Sequence, residues 1–391
     1  MMIIPKLALR NLLGAGLKTW LNVVVLSFSF VAIIFTQGLY KGLDEQASRA
    51  MVDTECGGGQ YWIESYDPFD PFSLQDAHGK LEGEMENLVE SGKATPILIV
   101  QGTIYPGGRI QPVLLKGIDP EQKLLTIPSY VLKKTDYELP ALIGSRMAQT
   151  SGLKVGDSVT VRWRDANGTF DAKDLQIVQV METSVQTIDS GQAWVPLPEL
   201  QKMANMENEA TTVVTEKNFG PAKNFPGWTF KDLNFLLKDI HQLIKMKSIG
   251  STIFYIILLF LAMLAIFNTQ VLSIFRRRKE IGTLMALGFS RGRVIQLFTL
   301  EGALNAVLAA LVGALYGIPL LGYLAAKGWA LPGTAEQFGI AIGEKLFPTY
   351  SAGLVMGTTL LVLIMTTIVS LLPTRKIAKM KPTDALRGKQ T

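Results

Sequence analysis

Side chains able to do covalent or acid–base chemistry are few and scattered in this 391-residue chain. There is one cysteine, Cys56, and the two histidines, His78 and His241, lie far apart. A lone thiol cannot close an intrachain disulfide, and neither histidine stands in a pattern that pairs a nucleophile with a base or gathers metal ligands. No G-x-x-x-x-G-K-[ST] phosphate loop, H-E-x-x-H zinc helix or cysteine cluster occurs. No catalytic residue, metal or in-chain ATP hydrolysis is therefore expected. Gly57-Gly58-Gly59 lacks the strand-to-helix setting of a phosphate cradle and reads as a flexible turn. Cys56 follows Asp53-Thr54-Glu55 rather than the apolar and small stretch of an acylation site, and reads as an unpaired thiol in a loop. What is concentrated is positive charge: Arg276, Arg277, Arg278, Lys279, Arg291 and Arg293 fall within 18 residues. The chemistry of such a cluster is electrostatic, either anchoring at a membrane face or docking onto an acidic partner.

A charge cluster acts where the chain holds it. Apolar residues make up 48% of the sequence. Four apolar segments, residues 20–40, 249–275, 294–326 and 350–372, reach the roughly 20 helical residues needed to cross a hydrocarbon layer. The first is longer than a signal-peptide core and no small-x-small cleavage site follows it, so it is expected to remain as a span. The third contains Pro319, which predicts a kink, a tilt or a protruding end. Trp20, Tyr40, Tyr255, Tyr323, Trp329 and Tyr350 fall near span ends, where amphipathic rings favour the headgroup zone. Lys6, Arg10 and Lys18 precede the first span, and Arg375, Lys376, Lys379, Lys381 and Arg387 follow the fourth. With the 276–293 cluster these basic groups share one side only if both termini are cytoplasmic. Residues 1–19, with Leu7, Leu12, Leu13 and Leu17 among the bases, predict an amphipathic helix in the inner interface. Residues 373–391 form a cytoplasmic tail, and residues 327–349 a short outward loop.

The remaining stretch, residues 41–248, faces outward and holds 21 Lys and Arg against 28 Asp and Glu. The chain's net charge of +5 thus belongs to its cytoplasmic surface, and no nucleic-acid partner is expected. Residues 96–101 and 110–115 read as a hairpin around Pro106-Gly107-Gly108, and residues 158–163 and 175–180 as another around Asn167-Gly168. Helices are predicted at residues 144–151 and 197–206. Thr229 reads as an N-cap with Asp232 three residues on, opening a stalk helix continuous with the second span over residues 230–275, roughly 70 Å long. The alternative is a helix docked on the outer domain and broken at Gly250. The fold class is a membrane protein of four transmembrane α-helices, with a large extracytoplasmic α+β domain inserted between helices 1 and 2.

The segment from Phe275 to Arg293 resembles the signature of the MacB/FtsX-type permeases of ABC transporters: basic residues, then Lys279-Glu280-Ile281-Gly282, Leu284, Ala286-Leu287-Gly288, and Glu301-Gly302 entering the next span. Leu7-Ala8-Leu9-Arg10-Asn11-Leu12, and Pro373, Ile377-Ala378 and Lys381-Pro382-Thr383-Asp384-Ala385-Leu386-Arg387 agree with that family, as does the order of spans. The resemblance implies a bacterial inner-membrane subunit paired with a second copy or a related permease. It also implies a separate ABC ATP-binding subunit that binds the ATP, with the 276–293 loop as a coupling helix in that subunit's groove. Arg278, Lys279, Glu280, Ile281, Gly282, Leu284, Met285, Leu287 and Gly288 are its implied docking residues. On such a helix Ile281, Leu284, Met285 and Leu287 are expected to offer an apolar surface, and Gly288 to end it. Glu301, two turns into the third span, needs a partner such as Arg293 or another span's base. Asn305, Ala309, Gly313 and Gly317 form a small-residue stripe for packing, within one subunit or across a dimer.

The outward domain is similar to that of the lipoprotein-releasing permeases. The likeness rests on Gly58-Gly59-Gln60-Tyr61-Trp62, Tyr66-Asp67-Pro68, Lys116-Gly117-Ile118-Asp119-Pro120, Ile143-Gly144 and Gly152-Leu153-Lys154-Val155-Gly156-Asp157. It implies mechanotransmission: ATP binding closes the dimer, and the outer domains hand a lipoprotein cargo to a periplasmic acceptor. An efflux-type permease and a division-type regulator of a cell-wall hydrolase are the competing readings.

Overall fold

The computed structural model describes residues 7, 8, 10, 16–133, 137–183, 185–220, 223–330 and 345–378. The amphipathic segment expected at residues 1–19 lies largely outside them, as does the basic tail motif after residue 378. Two compact units emerge: Met1–Leu43 with Ile244–Ala330 and Leu346–Thr391, and Asp44–Leu243 with Leu331–Lys345.

The first unit is built on α1 (Leu17–Met51), α2 (Lys238–Arg276), α3 (Arg278–Ala286), α4 (Arg291–Lys327) and α5 (Ala352–Ala378). Among the described residues, four helices are long and apolar enough to cross a membrane. At 37 residues α4 is about 55 Å long, well beyond a hydrocarbon layer of about 30 Å, and it runs unbroken through Pro319. Ile253, Phe254, Ile257, Phe260, Leu261 and Leu264 are exposed along α2, an apolar surface that a protein in water would have to cover. Inside the bundle Val23, Leu26 and Phe30 of α1 meet Ala262, Met263 and Ile266 of α2, Ala306 and Ala309 of α4, and Val362 of α5.

The second unit is a sheet of nine strands: β1 (Gln60–Ile63), β2 (Ala94–Ile104), β3 (Gln111–Ile118), β4 (Pro140–Gly144), β5 (Ser158–Arg164), β6 (Phe170–Met181), β7 (Gln192–Pro196), β8 (Thr212–Thr215) and β9 (Trp228–Lys231). Their order is β9-β1-β8-β2-β3-β7-β4-β6-β5. β5 also pairs with β2, with Thr103 opposite Arg162, so six strands close on themselves and bury their edges. β3–β7 and β4–β6 run parallel and the other pairs antiparallel. In β5 Val159, Val161 and Trp163 point inward while the residues between them face solvent. Both expected hairpins are present, as β2–β3 and β5–β6, and the expected helices form at Ser145–Ser151 and Leu197–Ala204.

Three local expectations change. The long helix begins at Lys238 rather than residue 230 and is about 58 Å long over its 39 residues. Thr229 lies in β9, and Asp232 is the cap: its carboxylate accepts from the Phe235 backbone N–H at 2.9 Å, opening a four-residue turn at Leu233–Leu236. Gly250 does not break the helix. The Gly57-Gly58-Gly59 run is a close-packed junction, not a loose turn. Gly57 has φ +57°, and a Cβ on Gly58 would overlap the Glu216 carbonyl oxygen. Cys56 is not in an open loop either. It ends a π-helical turn, Val52–Cys56, is 2% exposed, and burial pushes its thiol pKa up to about 12.

The domain grips its own ends of both long helices. Lys217 Nζ bonds Asp53 at 2.5 Å, and the Thr126 N–H bonds the Asp53 carbonyl at 2.8 Å. Lys116, buried over the Trp194 ring, reaches Glu55 at 2.6 Å. Asp44 of α1 meets His241 of α2 at 2.6 Å.

Candidate functional site

The basic cluster sits on a helical corner. α2 stops at Arg276, and Arg277 leaves helical geometry at ψ +17° before α3 begins. α3 ends where Gly288 adopts φ +93°, a conformation that favours glycine, with the Phe289 N–H returning to the Leu284 carbonyl at 2.9 Å. The Ser290 hydroxyl then accepts from the Arg293 N–H and opens α4.

Arg277 is the centre of the corner. Its Nε donates to Glu280 at 2.8 Å, and a terminal nitrogen donates to both oxygens of Glu301 at 3.1 and 3.3 Å. The guanidinium also lies 5.3 Å from the centre of the Phe298 ring. Glu301 is 6% exposed, and this contact helps to hold its carboxylate inside an apolar helix bundle. Arg293, one of the partners expected for Glu301, stays exposed. The docking set implied by the resemblance begins at Arg278, and Arg277, expected only as part of the outward-acting basic cluster, turns inward to Glu301. The demand for a base near Glu301 was visible, but which of three consecutive arginines answers it was not.

The corner also divides the expected docking face. Ile281, 2% exposed, packs inward with Ile274, Val294, Leu297 and Phe298, and Leu284 and Met285 lie partly against the same cluster. These three build the corner instead of offering an open apolar surface, because a short helix lying across two long ones must bury one side. Gly282 is buried beside Ile281. The outer face carries Lys279, Glu280, Thr283 and Ala286, and ends on Leu287, 76% exposed. Arg278 folds back over the Phe275 ring at 4.1 Å.

The family described as FtsX-like permease C-terminal matches residues 252–382, from within α2 to beyond α5, and so contains the whole corner. A lipoprotein-releasing system transmembrane protein LolC, from Xylella fastidiosa strain 9a5c, is 24% identical over 325 residues, 73% of this chain and 75% of that one. Residues 252–382 are thus an FtsX-like permease C-terminal region, in keeping with the resemblance carried by the basic loop. A macrolide export ATP-binding/permease protein MacB from Sodalis glossinidius is 32% identical over 140 residues, 36% of this chain and 19% of that one. Among solved structures, the extracellular domain of the noncanonic ABC-type transporter YknZ from Gram-positive bacteria aligns with 41% of this chain and 83% of that one at 12% identity, with a TM-score of 0.25.

Above the corner the permease packs α4 through its small residues. A Cβ on Gly302 would overlap the Ser370 hydroxyl of α5, and one on Gly317 would come within 2.8 Å of Val31 of α1. Gly313 faces Ser27 of α1, and Asn305 donates to the Glu301 carbonyl at 3.1 Å. The stripe therefore packs α4 against helices of its own chain. Among the described residues no group of three or more His, Cys, Asp or Glu is placed to hold a metal ion.

Proposed function

We propose that this permease couples ATP hydrolysis in a separate ABC ATP-binding subunit to movement of its inserted domain, in the service of lipoprotein release. The single observation carrying the reading is the corner at Arg277. It fastens α3 to both neighbouring helices and leaves Lys279, Glu280, Thr283, Ala286 and Leu287 facing outward for a partner. In this reading α3 lies on the cytoplasmic side with both termini, the domain of residues 44–243 lies in the periplasm, and the membrane is the bacterial inner membrane. Lys279 steers toward acidic groups, and Leu287 supplies the apolar contact that holds. The similarity to LolC over most of the chain supports lipoprotein cargo. The paired permease, one copy or a related chain, completes the transporter.

The test is a surface change that spares the fold. Leu287→Asp is expected to lower ATPase retained on the purified permease by about tenfold or more, with an unchanged melting temperature. Undiminished retention would remove α3 as the docking element. Photo-crosslinking from the inserted domain of the full chain in cells addresses cargo: acylated proteins support release, whereas a cell-wall hydrolase or an adaptor of an outer channel supports a competing reading.

A further inference from the structure

Between the corner and the middle of the bundle stands a group of polar side chains that apolar packing does not account for. Gln270 of α2, Asn305 of α4 and Ser370 of α5 are each at most 6% exposed. Gln270 Oε1, Asn305 Oδ1 and Ser370 Oγ have neither a hydrogen-bond partner nor surface open to solvent. Gly302 brings them together. A Cβ there would stand 1.9 Å from Ser370 Oγ and 3.0 Å from the Gln270 amide nitrogen. Those two groups, from different helices, are therefore within about 5 Å of each other, against the roughly 3 Å of a hydrogen bond. Helical side chains lean toward the N-terminus, and the Asn305 amide nitrogen reaches back to the Glu301 carbonyl at 3.1 Å, which sets this amide over the turn that holds Gly302.

Nearby hydroxyls on α5 are satisfied within their own helix. Thr366 donates to the Val362 carbonyl and Thr374 to the Ser370 carbonyl, both at 2.7 Å, whereas the Ser370 hydroxyl turns toward Gly302. A buried polar group without a partner forfeits its hydration with nothing in return. Water cannot relieve the three, since it would need room beside atoms that have none. They therefore favour any rearrangement that pairs them. α5 has the means to make one: Pro373, inside the helix, has no N–H for the Val369 carbonyl, so a rung of the ladder is missing beside Ser370. A shift of about 2 Å, the size of an ordinary helix displacement, would bring the Ser370 hydroxyl within bonding distance of Gln270. We propose that Gln270, Asn305 and Ser370 form a latch with two positions. In one, described above, they are unpaired. In the other the Ser370 segment has shifted at the Pro373 joint, the Ser370 hydroxyl donates to Gln270 Oε1, and the Gln270 amide nitrogen donates to Asn305 Oδ1. The latch belongs to the helix bundle itself and requires neither an ATPase docked on α3 nor a particular cargo.

The test uses the full-length permease in lipid nanodiscs, in a Cys56→Ala background, with a trifluoromethyl probe on Ile368→Cys, an exposed position on α5 close to Ser370. Fluorine NMR is expected to report two environments in exchange. Gln270→Met, which keeps the bulk of the side chain but cannot pair, should deplete the second environment about tenfold, and Ser370→Ala about two- to tenfold, the worth of one hydrogen bond. Pro373→Ala, which restores the missing rung, should deplete it as well. Neither Gln270→Met nor Ser370→Ala should lower the midpoint of equilibrium unfolding in detergent, because in the unpaired position no bond is lost. Three results overturn the proposal. One is a single resonance at the same position with and without Gln270→Met. Another is a second environment undiminished in both Gln270→Met and Ser370→Ala. The third is a lowered unfolding midpoint in both variants, which would show that these groups are already bonded. All are read on the permease alone, so they leave the docking of an ATPase on α3 to its own test.

Discussion

Replacing Arg277 by alanine isolates the contact that makes the corner. At 3.1 Å and an effective dielectric constant near 20, the attraction between Arg277 and Glu301 is about 5 kcal/mol before desolvation is counted. Most of that attraction offsets the cost of burying Glu301, so the pair adds little net stability, whereas losing Arg277 removes a charged contact from a buried carboxylate. Arg277→Ala is therefore expected to cost about 3 kcal/mol, the low end for buried pairs because the arginine side chain keeps 23% exposure. Glu301→Gln is gentler. The amide still accepts from Arg277, and Arg277 still has Glu280, so the loss should be about 1 kcal/mol. The double variant should be clearly more stable than Arg277→Ala alone, giving a coupling of about 2 kcal/mol in equilibrium unfolding from detergent micelles. A coupling under about 0.5 kcal/mol, or equal damage from the two single variants, would show that Glu301 is satisfied elsewhere and that the corner does not depend on Arg277.

Gly58→Ala should destabilise the inserted domain by about 2–4 kcal/mol, because the added methyl meets the Glu216 backbone, which cannot swing aside. Gly250→Ala, in open space on a helix, should stabilise by about 0.5–1 kcal/mol, both changes being read by equilibrium unfolding of the full chain in detergent. The Cys56 thiol, its pKa moved from 9.0 to about 12 by burial, should react with maleimide at pH 8 about a thousandfold more slowly than an open thiol, and at the ordinary rate once unfolded. The same shift has a linkage sign. Above pH 9 the unfolded thiol ionises while the folded one keeps its proton, so stability should decline from about pH 9 towards 12. Lys116→Met should cost about 2–3 kcal/mol by stranding Glu55, and adding Glu55→Gln should restore much of it, read by denaturant titration.

The parts of the fold that could be read from the sequence are those whose signals are local. The span positions follow from runs of apolar residues, and the β2–β3 and β5–β6 hairpins follow from alternation around glycine turns. Closure of the six strands could not be read, because the β2–β5 pairing joins residues some 60 positions apart and leaves no mark in either segment. Nor could β4 and β7, whose residues are all buried and so show no alternation. Thr229 and Asp232 are both good capping residues, and the choice between them was made by Thr229 pairing with Trp62 in the sheet. At the site, the extent of α3 was legible but its facing was not. Ile281, Leu284 and Met285 have the composition of a docking surface and of a core equally, and tertiary packing decided for the core.

That decision bears on how a corner can carry load. A flexible loop between two spans would absorb a displacement by turning about its own dihedral angles. α3 lacks that freedom on its inner side: Ile281 is set among Ile274 of α2 and Val294, Leu297 and Phe298 of α4, and Arg277 ties the start of the corner to Glu301 a further turn along α4. A close-packed cluster transmits displacement instead of dissipating it, since separating its members opens a cavity at a cost that grows with volume. A force applied at Leu287 is therefore expected to move the adjoining ends of α2 and α4 together. Polar substitution of Ile281 should uncouple them even with Leu287 and the rest of the exposed face intact. The discriminating result is an Ile281→Ser permease that still retains its ATPase yet no longer changes ATPase activity when cargo is supplied. If that variant responded as wild type does, the inward face of α3 would be a matter of stability alone.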